Sequence, residues 1–197
     1  MYFLQLRYEK VPSVPETITA LVGADTVFCI FGRTVFAFRR LMKYVYALKQ
    51  PVVIVHPDDS TAVYNRLKVP VGYAQENKEK VVWVNFFQRH HPESKIELII
   101  PQEKDENIAS MVRNNTAFIE QVLQKSKAFY TKSSVEESFE KNLRSLFREN
   151  RDSLLFIMRP FRIFSFYLPF HIRLFRKYAH APVLFIPRND ALYIPCH

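Results

Sequence analysis

Apolar residues along this chain fall into short blocks separated by stripes of helical spacing. The densest block is SLLFIMRPFRIFSFYLPFHIRLFRKYAHAPVLFIP, residues 153–187. Its longest uncharged stretch, residues 163–172, is far short of the roughly 20 apolar residues a spanning helix needs. Arg159, Arg162, Arg173, Arg176 and Lys177 interrupt the rest. The runs at 154–158 and 183–186 read as strands buried on both faces. Pro169, between them, suits the first turn of a helix. A parallel strand pair needs such a crossover, so the block predicts a β-α-β unit. The competing reading is one buried helix with apolar flanks.

A similar pattern occurs earlier. DTVFCIFGRTVFAFRRLMKYVYALKQPVVIVHPDD, residues 25–59, also runs from Asp through an apolar strand, a basic aromatic helix and a proline to a second apolar strand. Asp25 corresponds to Asp152, Pro51 to Pro182 and Pro57 to Pro187. Repetition of this kind marks duplicated units. The second copy has further alternation ahead of it. Strands are predicted at 67–73, 96–100 and 128–131. Helices are predicted at 76–91, 107–125 and 134–149. Val82, Trp83, Phe86 and Phe87 supply the apolar spacing of the first helix. Ile108, Met111, Val112, Ile119, Val122 and Leu123 form the stripe of the second. Val135, Phe139, Leu143 and Leu146 should face inward on the third, with Ser134 and Glu137 as a capping box at its start. Such alternation predicts a three-layer α/β fold, a parallel five-stranded sheet between helices. Before the first copy there is only a strand candidate at 2–8 and a short helix at 14–22. The expected organisation is therefore a partial unit at residues 1–57, a linker at 58–66, a complete domain at 67–190 and a tail at 191–197.

Composition adds charge to this picture. The 197 residues are 48% hydrophobic, enough for a sizeable core, and carry a formal charge of +9. Such an excess suits an anionic partner, whether lipid headgroups, nucleic acid or an acidic protein surface. Cys29 and Cys196 make no disulfide framework, and Cys29 should be a buried thiol. The N-terminus shows no basic segment followed by an apolar one. The expectation is a soluble, cytoplasmic protein.

The element order, with LKVPVG as a first strand and YAHAPVLFIPR as the close, resembles the universal stress protein family. The resemblance covers residues 67–188 as one domain and 2–57 as the tail of another. It implies strand order 3-2-1-4-5 and pairing of copies through their last strands, Val52–Val55 and Val183–Ile186, within the chain or in a homodimer. Such pairing would also cover two bare sheet edges. Nucleotide-binding members carry Asp just after the first strand, where this chain has Gly72. They also carry a glycine-rich loop after the fourth strand, where this chain has MRPFRIFSFYLPFHI from Met158 and Arg159 onward, with no glycine. Backbone amides must approach phosphate closely, which favours glycine. The whole chain has three glycines, and Gly32, after the equivalent strand of the first copy, stands alone. The nucleotide site is thus expected to be degenerate, with no cofactor. The family also forms the cytosolic tail of cation/proton antiporters. An incomplete first copy, a lost nucleotide loop and positive charge agree with that setting at the cytosolic face of the inner membrane. A stand-alone universal stress protein with weak or no ATP binding is the alternative.

The remaining polar features carry little chemistry. No acidic residue lies between Asp25 and Asp58 or between Asp152 and Asp190. Arg39, Arg40, Lys43, Arg173, Arg176 and Lys177 are the candidate contacts for an anionic lipid surface, at about 1 kcal/mol each. The same residues also read as a solvated helix face. No zinc-finger spacing or glycine-aromatic RNA signature supports nucleic-acid binding. His90-His91 diverge on a helix, Cys196-His197 is terminal, and Asp58-Asp59 suits a turn, so no metal site is expected. There is no G-x-S-x-G elbow and no catalytic constellation. The sequence therefore predicts a non-catalytic regulatory domain.

Overall fold

The computed structural model describes residues 29–32, 38–55, 64–159 and 181–188. In chain order they form strand β1 (Cys29–Gly32), helix α1 (Phe38–Ala47), β2 (Val52–Val55), β3 (Arg66–Pro70), a 3-10 turn (Gln75–Glu79) and α2 (Lys80–His90). β4 (Lys95–Pro101), α3 (Glu106–Lys125), β5 (Tyr130–Val135), α4 (Phe139–Glu149), β6 (Leu154–Met158) and β7 (Val183–Ile186) follow. All seven strands lie in one sheet, in the order β1-β2-β7-β6-β3-β4-β5. Every neighbouring pair is parallel except β2 and β7, which run antiparallel with Val53 opposite Leu184. The fold is thus α/β and mostly parallel.

Side chains of the central strands alternate between two apolar layers, as a pleated strand requires. Val52 and Ile54 of β2, Leu155 and Ile157 of β6, and Val183 and Phe185 of β7 pack with Leu41, Met42 and Val45 of α1 and Leu143 and Phe147 of α4. Val53, Leu154, Phe156, Leu184 and Ile186 face the other way. They pack with β3, β4, and Val81, Val84, Val112, Ile119 and Leu123 of α2 and α3. The run LLFIM of β6 is buried throughout because both faces are covered.

Three expectations fail in their details. Ser134 and Glu137 form no capping box. β5 runs on to Val135, pairing Ser133 and Ser134 with Ile99 and Ile100. Ladder hydrogen bonds over those residues exclude a helix start there. α4 begins only at Phe139, whose backbone N–H donates to the Glu103 carboxylate at 2.7 Å. Val135 consequently belongs to the strand. Met111 and Val82 are exposed, so neither belongs to its helix's inward stripe. Finally, Cys29 is half-buried, not fully buried, although burial still pushes its thiol pKa up. The elements expected at 2–8 and 14–22, the helix between β6 and β7, Asp58-Asp59 and Cys196-His197 lie outside the described residues.

Among the described residues, no helix is long and apolar enough to cross a membrane. α3 has the clearest ends. The Asp105 side chain accepts from Asn107 and Ile108 N–H at its start, where Glu106 also suits the helix dipole. At its other end Lys127 takes a left-handed φ of 56°. Ala128 N–H reaches Leu123 O and Lys127 N–H reaches Gln124 O, a Schellman closure without the usual glycine.

Candidate functional site

Open parallel sheets bind ligands outside the C-terminal ends of their strands, at the point where the strand order reverses. Here that crevice lies beyond β3 and β6. The chain leaves β3 at Pro70, and Val71 N–H still bonds Ile99 O at 2.9 Å. Gly72 then starts a tight path into the 3-10 turn. Its N–H donates to Asn77 Oδ1 at 3.2 Å. From α3, Asn115 Nδ2 donates to the carbonyls of Gly72, Tyr73 and Ala74 at 2.8, 3.2 and 3.0 Å. One amide thereby braces three successive backbone carbonyls.

Lys80, the first residue of α2, closes the network from below. It is 1% exposed. Its Nζ donates to Pro70 O at 2.6 Å and to Asn77 Oδ1 at 2.7 Å, and lies 5.9 Å from the centre of the Phe139 ring. Burial strips water from the ammonium and lowers the Lys80 pKa to about 7, against a smaller upward pull from the Glu76 carboxylate. Tyr73 meets Phe139 edge to face, with centroids 6.5 Å apart. Phe139 is held in turn by the Glu103 contact at the head of α4.

Met158 and Arg159 form the other wall. Arg159 N–H bonds Ile186 O at 2.6 Å, extending the ladder past β6. Its Nη1 donates to Val45 O and Leu48 O, both at 2.6 Å, capping the C-terminal end of α1. Cations suit that end of a helix dipole. The guanidinium also lies 5.9 Å from the centre of the Tyr46 ring. Burial lowers its pKa from the ordinary value, with Tyr46 opposing. Glu76, Glu140 and Ile157 complete a cavity of about 90 Å³ between these walls.

Of the residues the sequence groups, Met158 and Arg159 line the cavity, and Gly72 lies behind its lining residues Asn77 and Phe139. The reason for glycine is space: a Cβ on Gly72 would stand 2.9 Å from Asn77 Nδ2 and 3.0 Å from Phe139 Cζ. Its φ is not positive. Of the candidate surface cations, Lys43 is exposed on α1, and Arg39 and Arg40 share that helix. Arg173, Arg176 and Lys177 lie outside the described residues. Among the described residues, no three His, Cys, Asp or Glu side chains gather in a metal-holding group. Sequence reasoning missed Asn77, Lys80 and Asn115, and read Phe139 only as an inward apolar position. Lys80 left a readable signal, since it continues the buried stripe of Val84 and Phe87 at helical spacing.

No protein-family profile matches the chain. No curated protein matches it in sequence either. Solved structures do. A universal stress protein from Archaeoglobus fulgidus DSM 4304 superposes with a TM-score of 0.64 at 14% identity. The match covers 89% of this chain and 65% of that one. At that identity the likeness shows a shared universal stress protein-like fold.

Proposed function

We propose that this chain is a non-catalytic regulatory domain of universal stress protein type whose nucleotide crevice is closed by its own side chains. The observation that carries the reading is the size and filling of the crevice. Small-molecule pockets generally span about 300–1,000 Å³, and the cavity here is about 90 Å³. Asn77 and Phe139 crowd Gly72, the Lys80 side chain reaches Pro70 O beneath it, and Arg159 turns away to α1. A carboxylate at position 72 would have no room, and no glycine follows Met158 through residue 188 to let backbone approach a phosphate.

In this reading, β3 to β7 form one unit with strand order 3-2-1-4-5, and β1-α1-β2 is the later half of a second copy. The two join through their last strands. The domain belongs to the cytosolic C-terminal part of a cation/proton antiporter, at the inner membrane. Lys43, Arg39 and Arg40 on α1, with Arg173, Arg176 and Lys177, contact the anionic lipid surface. The basic residues of α1 support this assignment. A stand-alone universal stress protein is the second reading, favoured by the superposition of 89% of the chain on such a protein.

The coding frame ahead of Met1 separates the two. A membrane domain of about a dozen apolar spans, each of roughly 20 residues, is expected there. A stop codon directly upstream would reject the antiporter assignment and leave the stand-alone reading.

A further inference from the structure

Lys80 Nζ is buried and bonds only uncharged acceptors. An ammonium offers three N–H donors and a neutral amine two. Among the described residues, Lys80 Nζ meets two acceptors, Pro70 O and Asn77 Oδ1, and then the Phe139 ring. Both acceptors belong to the segment joining β3 to α2, which Asn115 holds from the other side. Charged and titratable groups stand on the elements around the Lys80 cavity. Tyr73 comes from the segment itself, Glu76, Lys78 and Glu79 from the 3-10 turn, Glu140 from α4, Glu103 through Phe139, and Arg159 from the end of β6. Of these, Glu76 is the carboxylate whose charge acts on Lys80, and it borders the same cavity.

We propose that Lys80 is a proton-operated latch on residues 71–79. As the neutral amine it ties Pro70 to Asn77 and leaves Glu76 at the crevice rim. On taking up a proton it gains a third donor and a charge that its two amide oxygens do not balance. A buried charge needs a counter-ion, and Glu76 moves inward over the cavity to supply one. The segment from Tyr73 to Asn77 moves with it, changing the surface above the C-terminal ends of the sheet. The signal read by the domain is then proton activity. This inference rests on the crevice geometry and holds with or without a transport domain.

The experiment is an NMR titration of the intact chain, with lysine labelled at 13Cε and the backbone with 15N, from pH 5.5 to 10.5. Lys80 is expected to titrate with a midpoint near 7, well below the surface lysines, and the amides of residues 71–79 should shift with that same midpoint. Glu76→Gln should lower the midpoint further and diminish the amide shifts. Titration of Lys80 together with the surface lysines would overturn the latch. So would amides of 71–79 that do not follow Lys80, or a midpoint unmoved by Glu76→Gln.

Discussion

At position 72 the packing tolerates no side chain. Replacing Gly72 by Ala puts a methyl against Asn77 and Phe139, neither of which can withdraw without losing the contact to Lys80 or Tyr73. We expect Gly72→Ala to destabilise by about 2 kcal/mol, read as a lowered denaturation midpoint at unchanged slope. Lys80 gives a pH signature of definite sign. Its folded pKa lies near 7, below the unfolded value near 10.5. Between those values the unfolded chain holds more protons, so stability rises with pH. Below about 7 the full cost of the buried charge is present. Relative to Lys80→Met, the natural chain should gain on the order of 4 kcal/mol between pH 7 and 10.5. Denaturant titrations of both proteins across that range check it, and a flat difference would contradict the buried titration.

Helices and strands were readable in proportion to how strictly their apolar positions repeat. β6 and β7 are continuous apolar runs, and α3 carries a long stripe, so their existence follows from sequence. The start of α4 does not. Ser134 and Glu137 satisfy a local capping pattern, yet partners in β4, distant in sequence, keep Ser134 in a strand. The acceptor that caps α4 is instead the Glu103 carboxylate, which takes the Phe139 N–H and which local spacing cannot reveal. Glu103→Ala should therefore cost about 1 kcal/mol through loss of that cap. Ser134→Ala should stay within about 0.5 kcal/mol. Thermal unfolding of the pair tests this, and the reverse ranking would restore the capping box. The crevice was legible in the same partial way. Gly72 and Met158-Arg159 marked its place through their strands, but Asn115, more than 40 residues away, reaches Gly72 only through the tertiary fold.

Across the whole molecule, β2 and α1 share one sheet and one apolar layer with the β3 to β7 part. Val52, Ile54 and Leu41 pack with Leu155, Ile157 and Phe185. Arg159 ties the crevice wall to the end of α1 by two hydrogen bonds. Arg159→Met leaves those carbonyls without their cation and should cost about 3 kcal/mol. Faster amide exchange confined to residues 41–48 is the expected signature, and unchanged protection there would show that the contact carries no stability. The central claim is that side chains of the domain itself close its nucleotide crevice. Calorimetric titration of the intact chain with magnesium-ATP tests it most directly. The account predicts no saturable heat, corresponding to a Kd weaker than about 1 mM. A one-to-one isotherm with a low-micromolar Kd, abolished by substitutions at Lys80 or Arg159, would contradict it.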